Sequence, residues 1–240
     1  MQSPAEYADI AENLALVRAE IEQARLRGAH SAAAVRLLAV SKTVEAPRVA
    51  YAWGCGVDAL AENKVQELLD KQGQLPPEAR WHFIGHLQTN KVRQVFDKVE
   101  LIHSLDSLRL AAEIEKRAAA ADRVVHCLIE VNVAAEESKF GLSPAEVWDM
   151  LVELAGMPHI AVDGLMTVAP DAPAEEVRPV FAALRGLRDE MRTRAEKNSF
   201  SNIFMQELSM GMSNDYRIAV EEGATMVRVG SSIFGGRIYR

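Results

Sequence analysis

From Leu37 onward the chain alternates short apolar runs with longer stretches of helical periodicity, and it does so eight times. The runs are Leu37–Val40, Val57–Ala61, Trp81–Ile84, Val99–His103, Val124–Val133, Ile160–Met166, Phe204–Met210 and Met226–Val229. Between them, helical patterns span Pro47–Trp53, Lys64–Gly73, Asn90–Phe96, Ser107–Ala121, Pro144–Ala155, Ala174–Lys197 and Asp215–Glu222. Runs such as Val124–Val133 are almost continuously apolar, as strands covered on both faces must be. Eight such βα units in 240 residues predict a closed, TIM-type (β/α)8 barrel, with an open doubly wound sheet as the competing architecture. An extra helix precedes the barrel. From Ser3 to about Arg27, Ile10, Leu14, Val17 and Ile21 recur three or four apart and mark one apolar face. That face predicts a helix packed onto the barrel as a cap. No Pro/Gly/Ser-rich linker interrupts the chain, so residues 1–240 read as one domain, with the helix over 1–29 and the barrel over 36–235.

Composition narrows the function class. Lys plus Arg is 27 against 34 for Asp plus Glu, a net charge of −7, which argues against nucleic acid or an anionic membrane as partner. The N-terminus has neither a basic region nor an apolar core of the export type, and no apolar run approaches the roughly 18 residues that a membrane span needs. Cys55 and Cys127 form no CxxC pair, so neither a disulfide framework nor a cysteine zinc site is indicated, and a reducing cytoplasm is the expected compartment.

In parallel α/β architectures, ligands bind where the strands end and the βα loops begin. Lys42 follows the first run directly, so its amine is expected in the barrel mouth. Partial desolvation there disfavours the ammonium form, as a Schiff-base lysine requires, although a solvated loop lysine is the commoner fate of such a residue. At the other end of the barrel sequence, Arg228-Val229-Gly230-Ser231-Ser232 is a strand, a glycine turn and two hydroxyls at the start of a short helix. It lies after the eighth strand, where barrels commonly bind phosphate. The turn after the seventh strand, Ser209 to Ser213, has the same chemistry; the plain alternative for Ser213 is a helix N-cap. Arg228 sits within the last strand, where a guanidinium must be paired or face a polar ligand. A Schiff-base lysine, a phosphate turn and an always-charged arginine together point to pyridoxal 5′-phosphate (PLP), with its ring nitrogen kept unprotonated and its carbanion chemistry correspondingly weak. His82 and His86 are four apart but span a strand and a glycine turn with no HExxH glutamate, so no metal site is expected. Met210 and Met212 read as packing in the barrel mouth, and Glu136-Glu137 with Lys139 as a solvated charge cluster.

The ordered motifs support a resemblance. Ala39-Val40-Ser41-Lys42, Glu62-Asn63-Lys64-Val65-Gln66-Glu67, Trp81 through Lys91, His103-Ser104-Leu105-Asp106-Ser107, Val131-Asn132 with Ser138-Lys139-Phe140-Gly141, Gly164-Leu165-Met166, Leu208 through Ser213 with Asp215, and Val227 through Gly230 into Ile233-Phe234-Gly235 run the length of the chain. In these the sequence resembles the pyridoxal-phosphate homeostasis proteins, the YggS-like family. Their fold is the fold type III barrel of alanine racemase without its C-terminal β domain. One departure is Ala61, where the family usually carries glycine; a small shift in packing is expected there. The resemblance implies that Lys42 holds PLP covalently as an internal Schiff base, that Arg228 faces the pyridine nitrogen and that Asn63 lies near the ring. It further implies that Ser209, Ser213, Gly230 and Ser231 hold the phosphate, with the backbone amides of Met210 and Gly211 contributing. The function so implied is cofactor buffering and transfer to PLP-dependent client enzymes, influencing amino-acid and keto-acid balance without robust catalysis.

Two other functions compete. A PLP-dependent amino-acid racemase needs a second base on the opposite face of its substrate, which in the resembling enzymes comes from the C-terminal β domain. Here only Tyr239, in the last three residues, or a partner chain would supply one. A Schiff-base aldolase acting on a phosphorylated substrate would use Lys42 and the phosphate turns without a cofactor. Absence of the racemase's second domain removes much of that family's dimer surface, so a monomer is expected.

Overall fold

The β-strand residues close the predicted barrel. In the computed structural model, which describes residues 7–136 and 138–235, β1 (Arg36–Val40), β2 (Ala59–Glu62), β3 (Trp81–Phe83), β4 (Leu101–Leu105), β5 (Val125–Glu130), β6 (Ile160–Met166), β7 (Ile203–Ser209) and β8 (Met226–Val229) follow one another around the sheet. Each pairs in parallel with the next, and β8 returns to β1 with Arg228 opposite Leu38. The open-sheet alternative is therefore excluded. Strand β5 is shorter than its apolar run: beyond Glu130 only Val131 pairs, as a single bridge to Leu142, because the chain turns at Asn132, whose side chain bonds the Glu136 backbone at both ends.

The helices are α1 (Ala8–Arg27), α2 (Ala46–Gly54), α3 (Val65–Gln72), α4 (Val92–Val95), α5 (Leu108–Ala120), α6 (Val147–Ala155), α7 (Ala174–Lys197), α8 (Tyr216–Glu221) and α9 (Ser231–Phe234). The start of the predicted first helix, Ser3 to Glu6, lies outside the described residues. Helix α1 does not cap an end of the barrel. The helix after β8 is a single turn, which leaves a slot in the outer ring, and α1 occupies it against α8, α9 and α2. Ile10, Leu14, Val17 and Ile21 are buried there, and Asn13 Nδ2 donates to Ile233 O at 3.0 Å. The predicted apolar face is thus real, but it covers a flank.

Two apolar assemblies result. The larger lies between the strands and the helical ring. The smaller, inside the barrel, comprises Leu38, Val40, Ala59, Ala61, Leu101, Leu128, Met166 and Met226. Ala61 is fully buried in it, so its methyl group contributes to interior packing. The two-residue alternation of a strand puts Arg228 on the same inward face as Met226.

Candidate functional site

At the carboxyl ends of the strands, a cavity of about 1240 Å³ is lined by Lys42, Met212, Ser213, Arg228, Gly230 and Ser231 among others. One opening thus gathers residues that are separated by almost the whole chain. Lys42 is the second residue after β1, and the peptide groups on either side of it are held by a buried network. Lys71, on α3, donates Nζ to Ser41 O at 2.6 Å and to the carboxylates of Glu62 and Glu67. Ser41 Oγ donates to Glu62 Oε1 at 2.7 Å, and the Thr43 amide donates to Glu67 Oε2 at 2.8 Å. Thr43 needs that anchor, since its φ of 64° lies in the left-handed region, where a β-branched side chain is strained by roughly 1–3 kcal/mol. Glu62 is fully buried and Lys71 nearly so. A buried ion pair adds little net stability by itself but fixes geometry. Here it sets the path of the backbone that carries Lys42.

Arg228 is buried at 4% exposure. Its Nη1 donates to Ser209 Oγ at 2.7 Å and its Nη2 to Thr167 O at 2.8 Å. Burial lowers its guanidinium to about 10 despite the nearby carboxylates of Asp215 and Glu130, so it stays charged at neutral pH. The two serine-bearing turns meet as expected. Ser213 Oγ accepts from the amides of Gly230 at 3.2 Å and Ser232 at 3.4 Å, and Ser232 Oγ donates to Ser213 O at 3.4 Å. Ser213 is not a helix N-cap; that position belongs to Asp215, which accepts the Met212 amide. Gly211 has φ 93°, and a β-carbon there would lie 2.6 Å from Ala219 Cβ, so only glycine makes this turn.

The residues expected at the phosphate fall in two places. Ser209 Oγ points into the barrel toward Arg228 and His103, and the Met210 amide is already given to Met226 O at 3.2 Å. Both are thereby drawn into the sheet interior, whereas Ser213, Gly230 and Ser231 line the cavity. Asn63 is held at the end of β2, and its Oδ1 is buried with no partner among the described residues. Met210 is fully buried as packing, while Met212 lines the cavity. His82 and His86 diverge: His82 points into the barrel, and His86 bonds Asp106 at 3.0 Å and stacks on Phe140. Lys139 pairs with Glu136 and reaches Val168 O at 3.3 Å, which is more than a solvated cluster; Glu137 and Tyr239 lie outside the described residues. Sequence reasoning missed Lys71 and His103 as site support. His103 stands as a polar residue in the apolar run of β4, which was the available signal; Lys71, between Asp70 and Gln72 on a helix, gave none.

Glu130, at the end of β5, is half-buried, and burial with Asp106 nearby pushes its carboxyl up to about 7 against the pull of Arg228. The folded state therefore holds this proton more tightly than the unfolded chain, and the resulting stability is lost as pH rises from about 4.3 through 7. Glu130→Gln is expected to leave the denaturation midpoint at about pH 3.5 unchanged and to raise stability at pH 8 by up to about 4 kcal/mol. Equal effects at both pH values would show that the carboxyl is not perturbed.

A closed barrel with a lysine at the end of β1, an arginine within β8 and a serine-glycine cradle between them defines a class. The family model described as alanine racemase, N-terminal domain, matches residues 10–238. A pyridoxal phosphate homeostasis protein of Aquifex aeolicus is 43% identical over 95% of this chain and 98% of its own. The chain belongs to the family of pyridoxal phosphate homeostasis proteins. Among solved structures, PipY of Synechococcus elongatus with PLP bound is 33% identical, with a TM-score of 0.80 over 94% of this chain and 100% of that one. Alanine racemase from Corynebacterium glutamicum, at 15% identity and TM-score 0.70, shares the fold over 61% of its length.

Proposed function

We propose that this barrel binds PLP covalently through Lys42 and serves the homeostasis of that cofactor, holding it and passing it to PLP-requiring client enzymes, rather than racemising amino acids. The observation that carries this reading is the buried, charged Arg228 on the same cavity as Lys42, with a hydroxyl and amide cradle beside both. Curated relatives named for pyridoxal phosphate homeostasis, and PipY solved with PLP, support it.

The residues fit the group. Ser213, Gly230 and Ser231 offer hydroxyls and amides to a phosphate, and a β-carbon on Gly230 would press to 3.2 Å from Val40 O, narrowing the cradle. Arg228, held by two uncharged acceptors, would face the ring nitrogen with its charge unneutralised by a direct carboxylate partner. The unsatisfied Asn63 Oδ1 would accept a hydrogen bond brought by the ligand. When bound, the cofactor supplies an electrophilic aldehyde and an electron-withdrawing ring. Lys42 supplies the amine, Arg228 disfavours a proton on the ring nitrogen, and the network around Ser41 and Thr43 keeps the amine in place. The unpaired thiols of Cys55 and Cys127 support a reducing, cytoplasmic setting; among the described residues, no helix is long and apolar enough to cross a membrane.

The test is the visible absorption of the purified protein with added PLP, before and after borohydride, for wild type and Lys42→Ala. A yellow band lost on reduction and missing in the variant is expected. A wild-type protein that stays colourless at saturating PLP would overturn the reading and favour the aldolase alternative.

A further inference from the structure

A line of polar side chains runs through the otherwise apolar inside of the barrel, and the function above uses only its member at the cavity, Arg228. Beginning at the cavity, Arg228 Nη1 lies 2.7 Å from Ser209 Oγ, Ser209 Oγ lies 2.9 Å from His103 Nδ1, and His103 Nε2 lies 2.9 Å from His82 Nδ1. His82 Nε2 then faces Glu100 Oε2 at 3.9 Å. Ser209 and His103 are completely buried and His82 nearly so, whereas the Glu100 side chain is half exposed. Glu100 directly precedes β4 and therefore stands at the amino end of the barrel, opposite the cavity. Four strands contribute one member each, from β3, β4, β7 and β8.

The chemistry gives this line a single direction. A guanidinium only donates, so Ser209 Oγ accepts from Arg228 and its own proton needs an acceptor. His103 Nδ1 is the acceptor within reach. With Nδ1 accepting, a neutral His103 carries its proton on Nε2 and donates to His82 Nδ1; His82 in turn carries its proton on Nε2, toward Glu100. The donors from Arg228 to His103 then each meet an acceptor along the line, and the His82 Nε2 proton faces the Glu100 carboxylate across 3.9 Å. The electrostatics agree. Burial holds His103 well below its ordinary range, with the charges of His82, Arg228 and Arg36 acting the same way. Burial likewise lowers His82, although Glu100 opposes that shift, and the contact with His82 lowers Glu100. Arg36 and Arg80 are the other charges acting on His82.

We propose that His103, through Ser209, is a positioning residue for Arg228: a neutral, one-directional hydrogen-bond chain from Arg228 to His82, with the Glu100 carboxylate facing its far end, holds the guanidinium in its rotamer and leaves its charge for the cavity. A carboxylate in the place of Ser209 would hold the arginine equally well but would neutralise it. A histidine pair relays the hydrogen bond through the barrel and keeps the balancing carboxylate at the far end. The consequence for the ligand rests on the PLP reading above; the chain itself does not.

Two measurements test it. In cofactor-free protein, long-range 1H–15N spectra of the six histidines, assigned by single substitutions, are expected to show His82 and His103 neutral and protonated on Nε2 between pH 6 and 8. A proton on Nδ1 of His103, or a charged His103 at pH 7, would overturn the chain whether or not PLP binds. The second measurement is a PLP titration by absorbance of His103→Leu and His103→Gln. Leucine removes both bonds and should weaken binding about tenfold, the low end of what loss of an orienting partner costs at metal sites, and shift the visible band. Glutamine, with one acceptor and one donor, should restore the wild-type band and most of the affinity. A folded His103→Leu protein with wild-type affinity and spectrum would refute the positioning role; if that variant does not fold, the tautomer measurement still decides.

Discussion

Replacing Lys71 with methionine is expected to destabilise the protein by about 3–5 kcal/mol, because it strands the fully buried Glu62 carboxylate without its cation. The loss should not stay local. Lys71 also donates to Ser41 O and to Glu67, and Glu67 holds the strained Thr43 amide, so both peptide groups flanking Lys42 lose a support. Chemical denaturation measures the first effect, and PLP affinity at a denaturant-free temperature well below the midpoint measures the second. Adding Glu62→Gln to Lys71→Met should recover much of the stability, since a neutral amide can still accept from Ser41 Oγ where the carboxylate did. Affinity should recover less, because Ser41 O keeps the Val44 amide at 2.9 Å but not the Lys71 ammonium. A single variant that unfolds at the wild-type midpoint would mean that the ion pair does not organise this end of the barrel.

Gly85→Ala should be the most damaging single-methyl change near the cavity. Its β-carbon would lie 2.1 Å from Asn63 O and 2.7 Å from Asn63 C and Cα, which are backbone atoms anchored at the end of β2 and cannot rotate away. Overpacking of this kind costs roughly 1–3 kcal/mol or more, and relief requires β2 and the β3 loop to separate. The expected result is a lowered melting temperature together with weakened PLP binding, because the displaced residue is the one whose buried, unsatisfied Oδ1 is proposed to accept from the ligand. Gly54→Ala, at a glycine with no neighbouring atom within 4 Å of the new carbon, is the control and should change neither. Equal behaviour of the two variants would refute the close approach of the chain at Gly85.

Much of this was legible in the residues, for physical reasons that can be named. Eight apolar runs with helical spacers admit few closed arrangements, so strand number, order and parallel pairing followed from pattern. The extremes of the chain, Lys42 at the first strand end and Arg228 in the last, were legible because a charged group beside or inside an apolar run demands an explanation. Serine and glycine at two successive strand ends marked the cradle for the same kind of reason. What pattern could not place also has a shared cause. Helix α1 has an apolar face that pattern detects, but pattern cannot say what the face covers; the one-turn α9 left the slot it fills. Ser209 and Met210 were assigned by their place in a turn, yet the barrel's curvature turns the Ser209 hydroxyl inward and commits the Met210 amide to β8.

The sequence by itself determined the barrel and its family, because hydrophobic periodicity and ordered motifs are local properties that survive without coordinates. Only the tertiary structure decided which polar residues act together: Lys71 beneath Lys42, His82 and His103 behind Arg228, Ser213 across from Gly230. These partners are brought together by closure of the sheet and by the packing of α3 against it, and no spacing along the chain encodes a hydrogen bond whose two ends lie on strands that meet only when the barrel shuts.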